Sequence, residues 1–408
     1  MVENEYQALT PEEEALEVVR KCFENEKNGD KEARKKAELD LRRFLVKTED
    51  GSYTLNSNVY FGKSETMHTT HGAINESLEK FVKPAGLEGK ENVRILDMCS
   101  GLGYNAASSI EYLDENVKIE IDMVEISKET LGAAFFIENP IKSFNIVKNA
   151  IEGKLYEEGI LGYKFLNEEI NDRIDINIYI DDARDVIKQF ESKEYDAVFL
   201  DPFSPLKSPE LYTLEFFLIL KNLLKKDGVI LTYTSAAPVR AAMIHSGLYI
   251  GEGPLFGRKS GGTVAAKNPE FIKKSLSDND ERMIALSDAG IPFRDPKLNK
   301  TSDEIVKQRD EERKSARGFK KLASTVKTPL YLHKDVEDSR LKRRVLKNIE
   351  FLEIENLMSK KAAFIVCPQF EECICDCGSG KMDNSNERIN EMSKRLTLII
   401  QNNKKIKE

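Results

Sequence analysis

The run Val198-Phe199-Leu200-Asp201-Pro202-Phe203-Ser204-Pro205-Leu206-Lys207-Ser208-Pro209 ends an apolar stretch in an acid and follows it with three prolines. Proline fixes its own φ and restrains the residue before it, so Asp201, Ser204 and Ser208 are biased toward extended backbone. The pattern predicts a strand that delivers a carboxylate into a rigid loop. Such a carboxylate can hold an ammonium group through a charge-assisted hydrogen bond, or accept its proton.

A second group of residues lies upstream. Val93-Arg94-Ile95-Leu96-Asp97-Met98 reads as a short strand, and Cys99-Ser100-Gly101-Leu102-Gly103-Tyr104-Asn105 turns it into a helix. Glycines between strand and helix let a ligand approach the backbone and point helix N–H groups at it. The next strand, Ile119 to Glu125, ends in an acid placed to hydrogen-bond a ribose diol. After a third strand, Ile174 to Ile180, come Asp181-Asp182-Ala183-Arg184-Asp185. Asp182 is a candidate for an adenine amino group, and for Asp181 or Asp185 the alternative reading is helix capping alone. Glycines alone recur by chance; strand, glycine turn, helix, strand and terminal acid together form a much more specific signal.

Two other clusters have metal-ligating residue types. His68 and His71, with Glu76 further on, lack a third clear ligand and also fit hydrogen-bonded structural or substrate-pocket groups. Cys367, Cys373, Cys375 and Cys377 are spaced C-x5-C-x-C-x-C, unlike the usual C-x2-C knuckles, and fit either a thiophilic metal or a reduced, unligated cluster.

The elements that must position these groups alternate. Asp196 to Leu200 is a fourth strand, Glu210 to Lys225 a helix closed by Asp227-Gly228, and Val229 to Thr234 a fifth strand. Ser246 to Ile250 and Phe256 to Ala266 form an antiparallel terminal pair. Five apolar strands alternating with helices predict an α/β, doubly wound, mostly parallel sheet, whose ligands bind beyond the carboxyl ends of the strands. Residues 1–47 read as a helical extension beginning at Pro11-Glu12, and residues 48–268 as the main domain, with an insertion at 139–174. Asp50-Gly51 marks a hairpin within it. Residues 269–408 form a charged helical extension with Ala363 to Val366 as a strand. Cations at 31–43 (Lys31, Arg34, Lys35, Lys36, Arg42, Arg43) and 303–347 (Arg313, Lys314, Arg317, Lys320, Lys321, Arg340, Lys342, Arg343, Arg344) make either solvated faces or, best in the second stretch, an RNA-facing patch.

Composition narrows the class. The chain has 408 residues, 40% hydrophobic, and a net charge of −8 from 62 basic and 70 acidic residues. That balance argues against indiscriminate nucleic-acid binding but permits a local basic face. Six cysteines are too sparse for a disulfide scaffold. No run approaches a membrane span, and Met1-Val2-Glu3-Asn4-Glu5 lacks the order of a signal peptide, so a cytoplasmic location is expected.

Asp97-Met98-Cys99-Ser100-Gly101-Leu102-Gly103, Glu125, Asp182 and Asp201, in this order, resemble the class I S-adenosylmethionine-dependent methyltransferases. Thr48 to Ser77, Asp201 to Phe217, Thr232 to Arg240 and Phe256-Gly257-Arg258-Lys259 look like the methyltransferase portion of the bifunctional tRNA 5-methylaminomethyl-2-thiouridine biosynthesis proteins. The D-P-F-S-P-x-K-x-P-E-L loop is the most specific part of a similarity covering roughly residues 48 to 300.

The resemblance implies a Rossmann-like methyltransferase that binds S-adenosylmethionine through Asp97, Gly101, Gly103, Asn105, Glu125, Asp182 and Ala183. It further implies methylation of the 5-aminomethyl group of the wobble (thio)uridine in tRNA without a metal. Asp201 would be the proton acceptor or amine anchor. Phe203 would stack on uracil, Ser204 and Lys207 would contact nucleotide, and His71 and Glu76 would line the entrance.

Cys99 departs from the pattern by standing where the usual motif has its first glycine. No counterpart of the FAD-dependent oxidase half is found, so a separate enzyme is expected to supply the aminomethyl substrate. An aminopropyltransferase similar to spermidine synthase shares the sheet and the acidic loop. A non-catalytic tRNA-binding module is a third reading, which the intact Gly101, Gly103 and Glu125 oppose.

Overall fold

The computed structural model describes residues 13–55, 71–166, 171–190, 194–257 and 261–405. The helix start at Pro11-Glu12, His68 and Arg258-Lys259 lie outside the described residues. In chain order the elements are α1 (Glu13–Lys27), α2 (Ala33–Leu41), β1 (Leu45–Lys47), β2 (Tyr53–Leu55), α3 (Ala73–Ser77), β3 (Asn92–Met98), α4 (Tyr104–Tyr112), β4 (Lys118–Val124), α5 (Lys128–Ala133) and α6 (Phe144–Glu157). They continue with β5 (Ile174–Tyr179), α7 (Ala183–Val186), β6 (Tyr195–Leu200), α8 (Leu214–Leu223), β7 (Leu224–Thr232), α9 (Ala237–His245), β8 (Tyr249–Glu252) and β9 (Thr263–Ala266). Helices α10 (Asp278–Leu286), α11 (Ser302–Ala316), α12 (Ser339–Ile349), α13 (Lys360–Val366) and α14 (Ser385–Lys405) complete the chain.

The main sheet has seven strands in the order β5-β4-β3-β6-β7-β9-β8. The pairs β5–β4, β4–β3, β3–β6 and β6–β7 are all parallel. Strand β6 is buried along its whole length and β3 along its carboxyl half, as expected where helices cover both faces of a parallel sheet. The chain steps outward from β3 through β4 to β5, then returns to lay β6 on the other side of β3. The switch point of this doubly wound fold therefore falls between β3 and β6, where Asp97 and Asp201 sit.

The chain forms two compact units. The first comprises Met1–Leu211, Ile219–Thr234 and Gly253–Val264, and the second Tyr212–Leu218, Ser235–Glu252 and Ala265–Glu408. In the first, the β1–β2 hairpin turn caps α3: Asp50 accepts hydrogen bonds from Thr48, Ser52 and the Asn75 amide. Gly72 adopts φ +114° just before α3, and a Cβ there would lie 1.9 Å from the Asp50 carboxyl group. Gly72→Ala therefore loses about 2 kcal/mol of stability through backbone strain and displacement of Asp50. An unchanged urea midpoint in the alanine variant refutes this account.

Three expectations are corrected. The helix expected through Lys225 stops at Leu223, and β7 begins at Leu224. Lys225 and Lys90 both donate to the buried Asp196 carboxylate, and a Cβ at Gly228 would meet the Tyr195 carbonyl at 2.6 Å. Tertiary pairing thus draws a nominal helix end into the sheet. Arg34 belongs neither to a solvated face nor to a phosphate site: it pairs with the buried carboxylates of Glu26 and Glu152 and donates to the Tyr163 carbonyl.

The third correction lies in the second unit, where Ala363 to Val366, read as a strand, belongs to helix α13. Ser359 caps that helix by accepting from the Ala362 amide, and a four-residue apolar run cannot by itself distinguish the two periods. The second unit is held by the buried Glu281, which accepts from Arg388 of α14 and from Gln369. Of the cations at 303–347, Arg313 and Arg317 pair with buried Asp288, and Lys321 donates to the Ala285 carbonyl. Those three are structural. Arg340, Arg343, Arg344 and Lys347 of α12 remain exposed.

Candidate active site

The glycine turn after β3 forms as its residues require. Gly101 and Gly103 adopt φ of +55° and +85°, and the Cys99 and Ser100 amides donate to the Val124 carbonyl at 2.8 and 3.1 Å. A Cβ at Gly103 would stand 2.6 Å from Val147 of α6, so this glycine is required by packing as well as by φ. Cys99 itself takes φ +62°. It occupies the left-handed conformation that a glycine would adopt at less cost, so the departure noted in the sequence changes the side chain but not the turn.

Glu125, at the end of β4, accepts from the Gly101 amide and the Ser127 amide, both at 3.0 Å. Its carboxylate thereby joins the glycine turn to the strand end. Burial pushes its pKa up, opposed by the hydrogen bonds from the Ser127, Gly101 and Ile126 amides.

Asp97 is fully buried and accepts from Asn105 Nδ2 at 3.1 Å through one oxygen, while its Oδ2 and the Ser100 hydroxyl have no hydrogen-bond partner among the described residues. Buried polar atoms without partners are rare because each costs about 1–3 kcal/mol. Two of them beside a glycine turn and a strand-terminal acid fit a polar ligand such as S-adenosylmethionine.

Asp201 follows β6, its amide donating to the Met98 carbonyl at 3.3 Å. The residue is half-buried, and burial pushes its carboxyl pKa up to about 8. Lys80 opposes the shift, Glu76 and Asp97 add to it, and a hydrogen bond from Asn105 opposes it. Asn105 of α4 thus serves both acids at the switch point. Burial likewise raises Asp97 to about 7, against the Asn105 hydrogen bond and with a contribution from Glu125.

In the sequence Lys80 carries no signal beyond its place four residues after Glu76, a helical-pair spacing. The two form a buried ion pair at 2.7 Å, and both charges act on the Asp201 carboxyl. A small cleft beside Lys80 is lined by Thr232, Tyr233, Pro254, Phe256 and Thr263.

The proline loop is a compact turn rather than an extended segment. The Lys207 and Ser208 amides donate to the Ser204 carbonyl at 2.7 and 2.9 Å. Phe203 and Ser204 are half-buried, Leu206 is exposed, and the buried Lys207 places its ammonium 5.8 Å from the Phe203 ring centroid. His71 is exposed, 3.3 Å from Glu49 and edge-on to Phe256 at 6.0 Å, whereas Glu76 is interior. Asp182 caps α7, the part expected of Asp181 or Asp185, and Arg184 donates to both of its oxygens. Ala183 is buried beside it. The structure therefore brings Asp97, Asn105, Gly101, Glu125, Asp201 and Glu76 into one neighbourhood. His71 stands at its rim beside Phe256.

The raised acids have a stability consequence. Unfolded, the Asp201 carboxyl would titrate near 3.8; folded, near 8. Between those values the folded state holds the extra proton, so stability falls as pH rises through this window. Thermal unfolding from pH 5 to pH 9 should show a steeper loss for the native chain than for Asp201→Asn. Parallel curves would refute the shift.

Residues 154–268 match the family model described as S-adenosyl-L-methionine-dependent methyltransferase. The chain is 39% identical over 308 residues to the uncharacterized protein MJ0670 of Methanocaldococcus jannaschii, spanning 75% of this chain and 83% of that one. It is 26% identical over 213 residues to the tRNA 5-methylaminomethyl-2-thiouridine biosynthesis bifunctional protein MnmC of Leptospira interrogans, covering 48% of this chain but only 32% of that relative. The crystal structure of MnmC2 from Aquifex aeolicus superposes with a TM-score of 0.51 at 28% identity, covering 69% of this chain and 92% of that one. No helix among the described residues is long and apolar enough to cross a membrane. The matches and the ligand-ready turn at the switch point agree: the chain belongs to the S-adenosyl-L-methionine-dependent methyltransferases of the MnmC type.

Proposed function

We propose that the chain methylates tRNA at the primary amine of a 5-aminomethyl group on the wobble (thio)uridine. The observation that carries this reading is the half-buried Asp201 carboxyl beside Asp97 and Asn105, at the end of the strand adjoining the glycine turn, where its amide donates to the Met98 carbonyl. The names of the MnmC relatives support tRNA as the substrate class.

Bound S-adenosylmethionine supplies an electrophilic methyl group. Asp97, Ser100, the glycine turn and Glu125 hold and orient it. Asp201 holds the incoming amine and takes its proton, and a carboxyl whose affinity for protons is raised by burial suits that task. Asn105 positions the Asp201 carboxyl, while the Lys80–Glu76 pair sets the local field. Phe203 offers a face for base stacking, and Ser204 a hydroxyl. The exposed cations of α12 supply a surface for RNA phosphates. The site works by positioning and proton transfer.

The test is transfer of labelled methyl from S-adenosylmethionine to tRNA bearing the aminomethyl wobble base, with unmodified tRNA as control. Label in the aminomethyl tRNA alone supports the reading. Unlabelled tRNA together with aminopropylation of putrescine from the decarboxylated cofactor would establish the aminopropyltransferase instead.

A further inference from the structure

The cysteines after α13 are not used by the methyl transfer proposed above. Cys367 opens the short turn that follows α13, and Cys373, Cys375 and Cys377 lie in the segment leading to α14. Residues 371–384 contain no helix, no strand and no buried residue. Burial of apolar side chains therefore supplies little to order them. Four thiols nevertheless converge there, all four sulfurs lying within 4.8 Å of one another.

The separations identify the kind of centre. Cys367 to Cys373 and Cys367 to Cys377 are 3.9 Å, and Cys373 to Cys377 is 3.7 Å. Disulfides require about 2.05 Å, so these are separate thiols. A tetrahedron with metal–sulfur bonds of about 2.3 Å has sulfur–sulfur edges of about 3.8 Å, which the three distances match. A cubane iron–sulfur cluster would place four metal atoms between its cysteines and needs a wider cage.

The surroundings match as well. Asp376 and Gly378 take φ of +66° and +73°, curling the chain so that Cys375 and Cys377 both face inward. The Gly378 amide donates to Cys373 Sγ at 3.3 Å, and Arg395 of α14 donates to Cys377 Sγ at 3.6 Å while also bonding the Phe364 carbonyl of α13. Donors of this kind orient thiolates and offset the negative charge of a four-thiolate site.

We propose that Cys367, Cys373, Cys375 and Cys377 bind a single zinc ion that staples the segment 367–384 to α13 and α14. Zinc satisfies four thiolates without a redox partner and imposes no geometry beyond the tetrahedron. In this role the metal replaces the apolar core that residues 371–384 lack.

The full-length chain, purified without chelator from zinc-supplemented cells, should contain about one zinc per chain by elemental analysis. Exchange with cobalt(II) should give the ligand-field and thiolate charge-transfer absorption of a tetrahedral sulfur site. Cys373→Ser/Cys377→Ser should lose at least nine-tenths of the zinc, whereas Cys22→Ser keeps it. Protease should cut within 371–384 only after the metal is stripped by a mercurial and a chelator. The proposal is overturned if the native chain carries no zinc and gives no cobalt spectrum, or if it carries iron with a visible chromophore. It is equally overturned if mass spectrometry of the alkylated, unreduced chain finds these cysteines in disulfides. Because the zinc and cobalt readings use the native chain, a variant that fails to fold does not decide the matter.

Discussion

Asp201→Asn lowers the rate of methyl transfer to aminomethyl-bearing tRNA by about 10³-fold, within the range that a positioned proton acceptor supplies. Asparagine keeps the size and the polar end but cannot take a proton from an ammonium. Binding of S-adenosylmethionine, measured by calorimetry, changes little, because Asp97, Gly101 and Glu125, the residues proposed to hold it, remain. The pH profile separates a chemical role from a structural one. In the native chain kcat/KM rises with pH as the Asp201 carboxyl, pushed up to about 8 by burial, loses its proton. That limb disappears in Asp201→Asn. A variant with native kcat, or one that retains the limb, would show that Asp201 only terminates the strand.

Glu125→Ala weakens S-adenosylmethionine binding by about 10²-fold, the loss expected for two charge-assisted hydrogen bonds worth about 1.5 kcal/mol each. The damage has two sources. The carboxylate is removed from the position that suits a ribose diol, and the Gly101 and Ser127 amides lose an acceptor 3.0 Å away. Glu125→Gln retains an acceptor oxygen and should fall between the two. Calorimetry across the three chains provides the test. If all three bind alike, the cofactor does not lie on the β4 side of the turn, and the orphaned Asp97 and Ser100 atoms require another ligand.

Several features of the fold and site were open to direct reading, and each rests on local chemistry. Apolar strands alternating with helices can bury both faces only as a parallel sheet, which is why β3 to β7 were recognisable before their pairing was known. Glycines between a strand and a helix have few alternative uses, so the turn at Gly101 and Gly103 was legible even with Cys99 in the first position. Acids that end strands, Glu125 and Asp201, mark the carboxyl edge by sequence position alone. The four cysteines were visible as a group, though their spacing matches no common knuckle.

What remained was decided by contacts between residues far apart in the chain. Arg34 sits among surface cations in sequence, yet Glu152, 118 residues away, makes it an interior group. Arg313 and Arg317 are drawn from a basic run onto Asp288 in the same way. Lys225 and Asp227 lie in a strand because Asp196 and Lys90 anchor them there. Lys80 carried no signal of its own beyond its spacing from Glu76, and its importance comes from the charge it brings to bear on Asp201.

Residue order alone fixes which groups are offered to the proposed chemistry and in what sequence the strands present them. Their protonation, pairing and separations come from the packed chain, because backbone propensity and turn chemistry act over a few residues, whereas desolvation and charge pairing depend on whatever the packing brings alongside. Asp201 is an ordinary aspartate in the sequence; burial beside Asp97, Asn105 and the Lys80–Glu76 pair makes it a group that holds protons near neutral pH.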